Sequence, residues 1–341
     1  MLGFNSLLNL FFVSPAMRFF GAQACRLCCA LLVMVVVTKP MALVSLANGQ
    51  ETETAAPPGS VIEKHAREIE KVQPFVTGVW TKQWVEEVSR LEKIRPNRIK
   101  LSGRDILVDE SLFYSGRYGS PLAYARAFDL AEKHGFAPKP ASKIFDFGYG
   151  SIGHLRMLAQ MGLQATGVDV DPLLAEMYKD CSGAYGKGEV KLLTGKFPAE
   201  EALVQSAGEG YDLFISKNTL KRGYIHPSRE LASPRHAIEL GVNDEAFLEQ
   251  VEKMLKPGGL FVIYNFCPPK SPADKPYIPW AEGECPYSKE QLSAAGFEVL
   301  EFDVVDDNAA RELGRLLGWD TEGGMKLETD LFAWYTIARK K

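Results

Sequence analysis

The stretch KIFDFGYGSIGHL, residues 143–155, decides how this sequence folds. It starts as an apolar run carrying one acid, Asp146, turns through Gly148, Gly150 and Gly153, and then takes on helical spacing. Glycines at a strand's end let the backbone approach a bound group with no Cβ in the way. The helix behind them offers free N–H groups and the positive end of its dipole. The stretch reads as strand, ligand-holding turn and helix.

Downstream, the same alternation continues. GHLRMLAQM reads as a helix, QATGVDV as a strand, and PLLAEMYKD as a helix opened by Pro172 near its first turn. EVKLLTG, YDLFISKN and GLFVIYNF are three more strands, apolar along their length as a parallel sheet covered on both faces requires. The end of the chain breaks the pattern, because FEVLEFDVV and LFAWYTIARK are both strands with the helical DNAARELGRLLGW between them. A last strand inserted antiparallel is compatible with that order. Upstream, VIEKHAREIEKV, WVEEVSRLEKI and LAYARAFDLAEKHG carry helical periodicity, the last stopped by Gly135 and Pro138. Strands alternating with helices predict an α/β, doubly wound sheet with an N-terminal helical segment.

The glycine spacing formally matches the GxGxxG turn of dinucleotide-binding proteins, a weak signal alone. Two acids shift the reading. Asp146 stands two residues before the first glycine, where a dinucleotide-binding strand is usually apolar. Asp169 closes the next strand in GVDVDP, where a carboxylate accepts both hydroxyls of a ribose. With YDLFISKN (211–218) and LKPGGLFVIYN (255–265) following in order, the chain from about 143 to 340 resembles a class I S-adenosylmethionine-dependent methyltransferase. LKPGG before an apolar strand is the most specific of these motifs.

The resemblance implies a mostly parallel, seven-stranded Rossmann-like sheet with its last strand antiparallel, and S-adenosylmethionine as cofactor. It implies that Asp146, Gly148 and Gly150 border the methionine moiety, with Asp146 near its ammonium. Asp169 would hold the ribose and Val170 would pack beside the adenine. Ser216, Lys217 and Asn218 would end the fourth strand beside the transferring methyl. Arg117 and Tyr118, in FYSGRYGSP, would close over the cofactor, a guanidinium suiting the methionine carboxylate. Tyr224 and His226, in LKRGYIHP, follow the fourth strand on the acceptor side, and His226 is the candidate base for a hydroxyl acceptor. The sequence also departs from the pattern. Gly153 comes one residue late, and Thr194-Gly195-Lys196 replaces the acid often found beside the adenine. Asn218-Thr219-Leu220-Lys221 stands where enzymes that methylate exocyclic amines carry Asn-Pro-Pro-Tyr.

The rest of the chain bounds the function. Its 341 residues are 46% hydrophobic and 24% charged, with a net charge of −4, so no basic excess points to nucleic acid. Five scattered histidines, and no CxxC pair among Cys181, Cys267 and Cys285 that lie beyond the N-terminal segment, point to no metal site. LCCALLVMVVV (27–37), with Arg18 and Arg26 before it and Ser45-Leu46-Ala47 after it, reads as a signal peptide or an anchor over 1–47. A polar linker (48–60), a helical cap (61–141) and the methyltransferase domain (142–341) would follow. Cleavage implies an exported or periplasmic protein. An uncleaved segment would anchor it to the membrane, and a misassigned start would leave it cytoplasmic. In an oxidising compartment Cys267 and Cys285, bracketing a proline-rich insertion, are expected to pair. The expected activity is methyl transfer to a small-molecule acceptor walled by 61–141 and 267–288. The alternative is a non-catalytic cofactor- or nucleotide-binding protein on the same fold. A dehydrogenase would need a hydride-transfer constellation that the sequence does not show.

Overall fold

The computed structural model describes residues 61–72, 79–88, 90–91, 93–101, 103–115, 120–321 and 323–341. The expected signal peptide or anchor, the linker, and the two site residues Arg117 and Tyr118 lie outside these residues.

Helices α1 (Val61–Val72) and α2 (Val79–Val88) come first. The helical cap expected over 61–141 also contains a hairpin, β1 (Asn97–Leu101) and β2 (Arg104–Val108), turning at Gly103. Isoleucine and leucine alternate with charged residues in NRIKL, and RDILV ends in the β-favouring run Ile106-Leu107-Val108, which suits a two-stranded ribbon. Helix α3 (Ala125–Lys133) then leads into the sheet.

The sheet strands are β3 (Lys143–Phe147), β4 (Gln164–Asp169), β5 (Gly183–Tyr185), β6 (Gly188–Thr194), β7 (Tyr211–Lys217), β8 (Leu255–Cys267), β9 (Phe297–Val305) and β10 (Phe332–Lys340). Their spatial order is β5-β6-β4-β3-β7-β8-β10-β9. Strands β6, β4, β3, β7 and β8 run parallel, and β10 runs antiparallel to both its neighbours. The sheet therefore has eight strands rather than the expected seven. The extra one, β5, is a three-residue edge strand folded back antiparallel on β6 through Gly186. LKPGG starts β8 directly as a bulge, with Tyr211 facing Leu255 and Leu213 facing Leu260.

Two hydrophobic cores flank the sheet. One gathers α3, α4 (Gly153–Gln160) and the N-terminal segment over Ile144, Leu213, Ile215 and Tyr264. The other gathers α8 (Asp244–Met254) over Phe145, Phe214 and Phe261, with Phe145 stacked on Phe214 at 5.0 Å. Each such side chain contributes roughly 1.5–3 kcal/mol on burial. Arg126 on α3 donates Nε and Nη2 to Asp306 at 2.8 and 2.7 Å, and the Tyr264 hydroxyl donates to the same carboxylate at 3.1 Å. This bidentate pair ties the first core's outer helix to β8 and to the corner after β9.

Candidate active site

The chain runs from β3 outward through β4 to β6, then crosses back to β7 and β8 on the other side. The strand order reverses beside β3, and in open α/β sheets the crevice at that point, outside the strands' carboxyl ends, is where ligands bind. The glycine turn after β3, the acid ending β4 and the residues ending β7 all lie there.

Gly148 and Gly150 have φ of +82° and +59°, which side-chain-bearing residues rarely adopt. A Cβ on Gly148 would lie 2.2 Å from Thr219 Oγ1, so the turn after β3 and the loop after β7 touch across the crevice. Asp169 is fixed by two backbone donors. Gly150 N–H donates to its Oδ2 and Asp171 N–H to its Oδ1, both at 3.1 Å. Each oxygen keeps a lone pair in hand. Burial pushes its pKa up to about 6. Val170 beside it is 48% exposed, an open apolar surface at the strand's tip. Asp171 then caps α5 (Pro172–Met177) by accepting from Leu173 N–H at 2.7 Å.

Asp146 is placed differently from the expectation of a carboxylate open to a ligand's ammonium. It is fully buried, its Oδ2 lying 2.6 Å from His154 Nε2 and accepting from the Tyr124 hydroxyl at 3.3 Å. The rings of Tyr124 and His154 stack over it at 3.8 Å. Ser216 is also fully buried, its hydroxyl donating to Phe147 C=O (3.3 Å) and accepting from Leu220 N–H (3.2 Å). Asn218, at φ +65°, receives Phe266 N–H on its side-chain oxygen (2.7 Å) and donates its own N–H to Asn265 Oδ1 (3.0 Å). The Ser216 hydroxyl and the Asn218 side-chain oxygen are spent on holding the ends of β7 and β8. Lys217 between them points to the opposite face from Ser216, toward the Tyr124 and Phe266 rings.

His226 and Tyr224 follow on α7 (Arg222–Ile225) and its C-terminal end. His226 Nε2 lies 2.9 and 3.0 Å from the two carboxylate oxygens of Asp244, the first residue of α8, which also accepts from Gln291 Nε2. The pair lies in the wall of a pocket of about 840 Å³, lined by Ile225, His226, residues 237–243, Asp244 and Glu245. Neither the glycine turn, nor Asp169, nor Lys217 lines it. Tyr224 is half-buried, its ring 5.7 Å from Lys221 Nζ. The insertion expected to wall the acceptor is zipped to this loop. Arg222 and Gly223 donate N–H to Glu284 and Glu282 carbonyls, and Arg229 reaches the carbonyls of Pro272, Ala273 and Lys275. No bridge pins it, because Cys267 and Cys285 are both free buried thiols, contrary to the expected pairing. Cys267 faces Lys221 and Glu284, whereas Cys285 sits against Tyr287 and Asp303. Burial pushes their pKa values up to about 11 and about 12. Among the described residues there is no cluster that would hold a metal ion.

Sequence reading missed Tyr124 and Asp244, which come from elements well separated from their partners along the chain, and His154, which lies only eight residues after Asp146 and carries no spacing signal. It also missed Glu200, whose Oε1 accepts from Lys196 N–H at 2.6 Å. This brings a carboxylate to the tip of β6 from four residues downstream.

With the edge strand β5 set aside, the order is β6-β4-β3-β7-β8-β10-β9 with β10 alone reversed. This is a mostly parallel, Rossmann-like sheet with one reversed strand, the arrangement that the resemblance to class I methyltransferases implies. No protein-family model matches the sequence, and no curated protein matches it. Solved structures do resemble it. The [4+2]-cyclase SpnF is 16% identical with a TM-score of 0.37, covering 63% of this chain and 80% of its own. A putative sarcosine dimethylglycine methyltransferase from Galdieria sulphuraria is 14% identical with a TM-score of 0.38, covering 68% and 92%. Phosphoethanolamine N-methyltransferase 2 from Haemonchus contortus is 13% identical with a TM-score of 0.39, covering 64% and 52%. At such identities and TM-scores the likenesses carry no argument, and the fold rests on the strand order.

Proposed function

We propose that the chain is an S-adenosylmethionine-dependent methyltransferase acting on a small-molecule acceptor. The observation that carries this reading is Asp169. It is a carboxylate at the tip of β4, oriented by two backbone N–H groups and adjoining the glycine turn at the switch point, with a lone pair left on each oxygen. A vicinal diol fits that acceptor pair, and the exposed Val170 surface beside it fits a flat base. The positive-φ Gly148 lets the turn close against Thr219, which fixes the crevice's two lips beside that acceptor pair.

When bound, the sulfonium supplies a methyl group already activated for transfer. The protein's own work is to orient two partners and exclude water. Asp169 fixes the ribose. Ser216 and Asn218 hold the ends of β7 and β8 rigid at the crevice. His226, oriented through Nε2 by Asp244, keeps Nδ1 to receive a proton from a hydroxyl acceptor. Calorimetric titration with S-adenosylmethionine and with NAD tests the reading. Binding of the first and not the second supports it, and the reverse refutes it. Labelled-methyl cofactor incubated with fractionated extract then identifies the acceptor.

For residues 17–47 we propose an export signal, on the strength of the apolar run and the small residues that follow it. Mass spectrometry of the protein from its host should find a chain starting near Asn48. An intact 20–40 segment on a cytosolic protein would refute it.

A further inference from the structure

Two lysines lie four residues apart at the carboxyl end of β7, and they are used differently. Lys221 is 2% exposed, and its ammonium donates to the carbonyls of Phe266 and Trp280. That is the ordinary way to bury a lysine, with its donors spent on backbone oxygens. Lys217 is half-buried at the switch point, and its ammonium makes no hydrogen bond or ion pair with any described residue. It lies 4.8 Å from the Tyr124 ring centroid and 5.3 Å from that of Phe266. Two aromatic faces favour the positive charge but take up none of its three N–H donors.

The platform beneath it is built for rigidity. Asp146 holds the hydroxyl of Tyr124 and lies 2.6 Å from His154, and the His154 ring backs Tyr124 at 3.8 Å. Of the charged groups nearby, Asp146 favours the ammonium form of Lys217 and Lys221 opposes it. Burial outweighs both and brings its pKa down to about 8, so the ammonium prevails at neutral pH. A rigidly supported, half-buried cation at the switch point, where a ligand is expected, has donors that no described residue takes up.

We propose that Lys217 is the anion-receiving residue of the crevice: the ligand seated there presents a carboxylate or phosphate oxygen to its ammonium. This inference rests on the methyltransferase reading only for the identity of the ligand. Two sources supply such an oxygen, the amino-acid end of the cofactor and an acidic acceptor. Asp146 serves as a positioning residue, acting on the ligand through Tyr124 and Lys217.

The test compares wild type, Lys217→Met and Lys217→Arg. Methionine keeps the length and packing of the stem and removes a desolvated charge, so that variant should fold, checked by its melting curve. S-adenosylhomocysteine and 5′-methylthioadenosine, which lacks the amino-acid end, are titrated by calorimetry. Inorganic phosphate and acetate are titrated into the S-adenosylhomocysteine complex, read by the shift of the Lys217 side-chain resonance in labelled protein. If the cofactor is the source, Lys217→Met loses about tenfold or more in S-adenosylhomocysteine affinity, keeps its 5′-methylthioadenosine affinity, and Lys217→Arg recovers most of the loss. If the acceptor is the source, S-adenosylhomocysteine affinity is unchanged, and phosphate or acetate shifts Lys217 in the complex. Unchanged nucleoside affinities with no anion shift overturn the proposal, as does an equal loss of both nucleosides, which reports distortion. Should wild type bind neither nucleoside, the methyltransferase reading falls. The same anions titrated into the free protein then still decide Lys217, a shift supporting the proposal and none refuting it.

Discussion

Replacing Gly148 by alanine sets the glycine turn against the loop after β7. Two costs add. The backbone at φ +82° suits glycine, and a side-chain-bearing residue there costs about 1–2 kcal/mol. The new Cβ would also meet Thr219 Oγ1 at 2.2 Å, Cγ2 at 2.8 Å and Cβ at 2.9 Å, so the two lips of the crevice must part. Overpacking of that kind costs about 1–3 kcal/mol. The expected destabilisation is about 2–5 kcal/mol, read from urea unfolding midpoints at constant slope. Two further variants separate the costs. Gly135→Ala, at φ +93° with nothing within 4 Å of its would-be Cβ, isolates the backbone cost. Thr219→Gly removes all three clashing atoms, so in the double variant with Gly148→Ala about 1–3 kcal/mol should be regained as a coupling energy. S-adenosylhomocysteine binding should fall with Gly148→Ala and partly recover in the double variant. The reasoning is refuted if Gly148→Ala lies within about 0.5 kcal/mol of wild type, a change ordinary for exposed sites. It is also refuted if Thr219→Gly recovers nothing.

Asp169→Ala should weaken S-adenosylhomocysteine by about tenfold or more, because charge-assisted hydrogen bonds of about 1.5–3 kcal/mol are lost; unchanged calorimetric affinity removes the ribose assignment. With Asp169 at about 6, wild-type affinity should drop about tenfold between pH 7 and pH 5 as the carboxylate protonates, and Asp169→Asn should flatten that profile. A raised carboxylate stabilises the fold most below the ordinary carboxylate range and loses that contribution as pH rises through about 6, so unfolding driven by Asp169 cannot mimic the loss at pH 5. His226→Ala should lower kcat toward a hydroxyl acceptor by roughly 10²–10⁴ with nucleoside affinity unchanged, and a near-wild-type rate would return His226 to a surface partner of Asp244.

The alternation of apolar runs with helical spacing, and the position of the glycine turn, were legible because they are local. A buried parallel strand needs an apolar run, and a close-approach turn needs glycine whatever surrounds it. Asp169 was legible for the same reason, since a strand's last residue must lie at the sheet's carboxyl edge. The direction of β10 and the order of all the strands depend on long-range pairing, and only LKPGG and the closing pair of strands hinted at it. The edge strand β5 and the hairpin in the N-terminal cap are too short to leave a periodic signal.

What the sequence determined by itself was that Asp146, Lys217, Ser216 and His226 stand near strand ends. Which way each side chain faces, and what meets it, was decided by tertiary packing. Residues 216 and 217 point to opposite faces of the sheet, so Ser216 closes a backbone joint while Lys217 meets Tyr124, which precedes it by more than ninety residues. Asp146 lies under a stacked Tyr124 and His154 because α3 and α4 converge on the same face of β3. His226 meets Asp244 because α8 begins beside the loop that carries it. Hydrogen bonds and desolvation act over a few ångströms of space regardless of separation along the chain, so a site assembled from distant segments is written in the fold and not in any one stretch of residues.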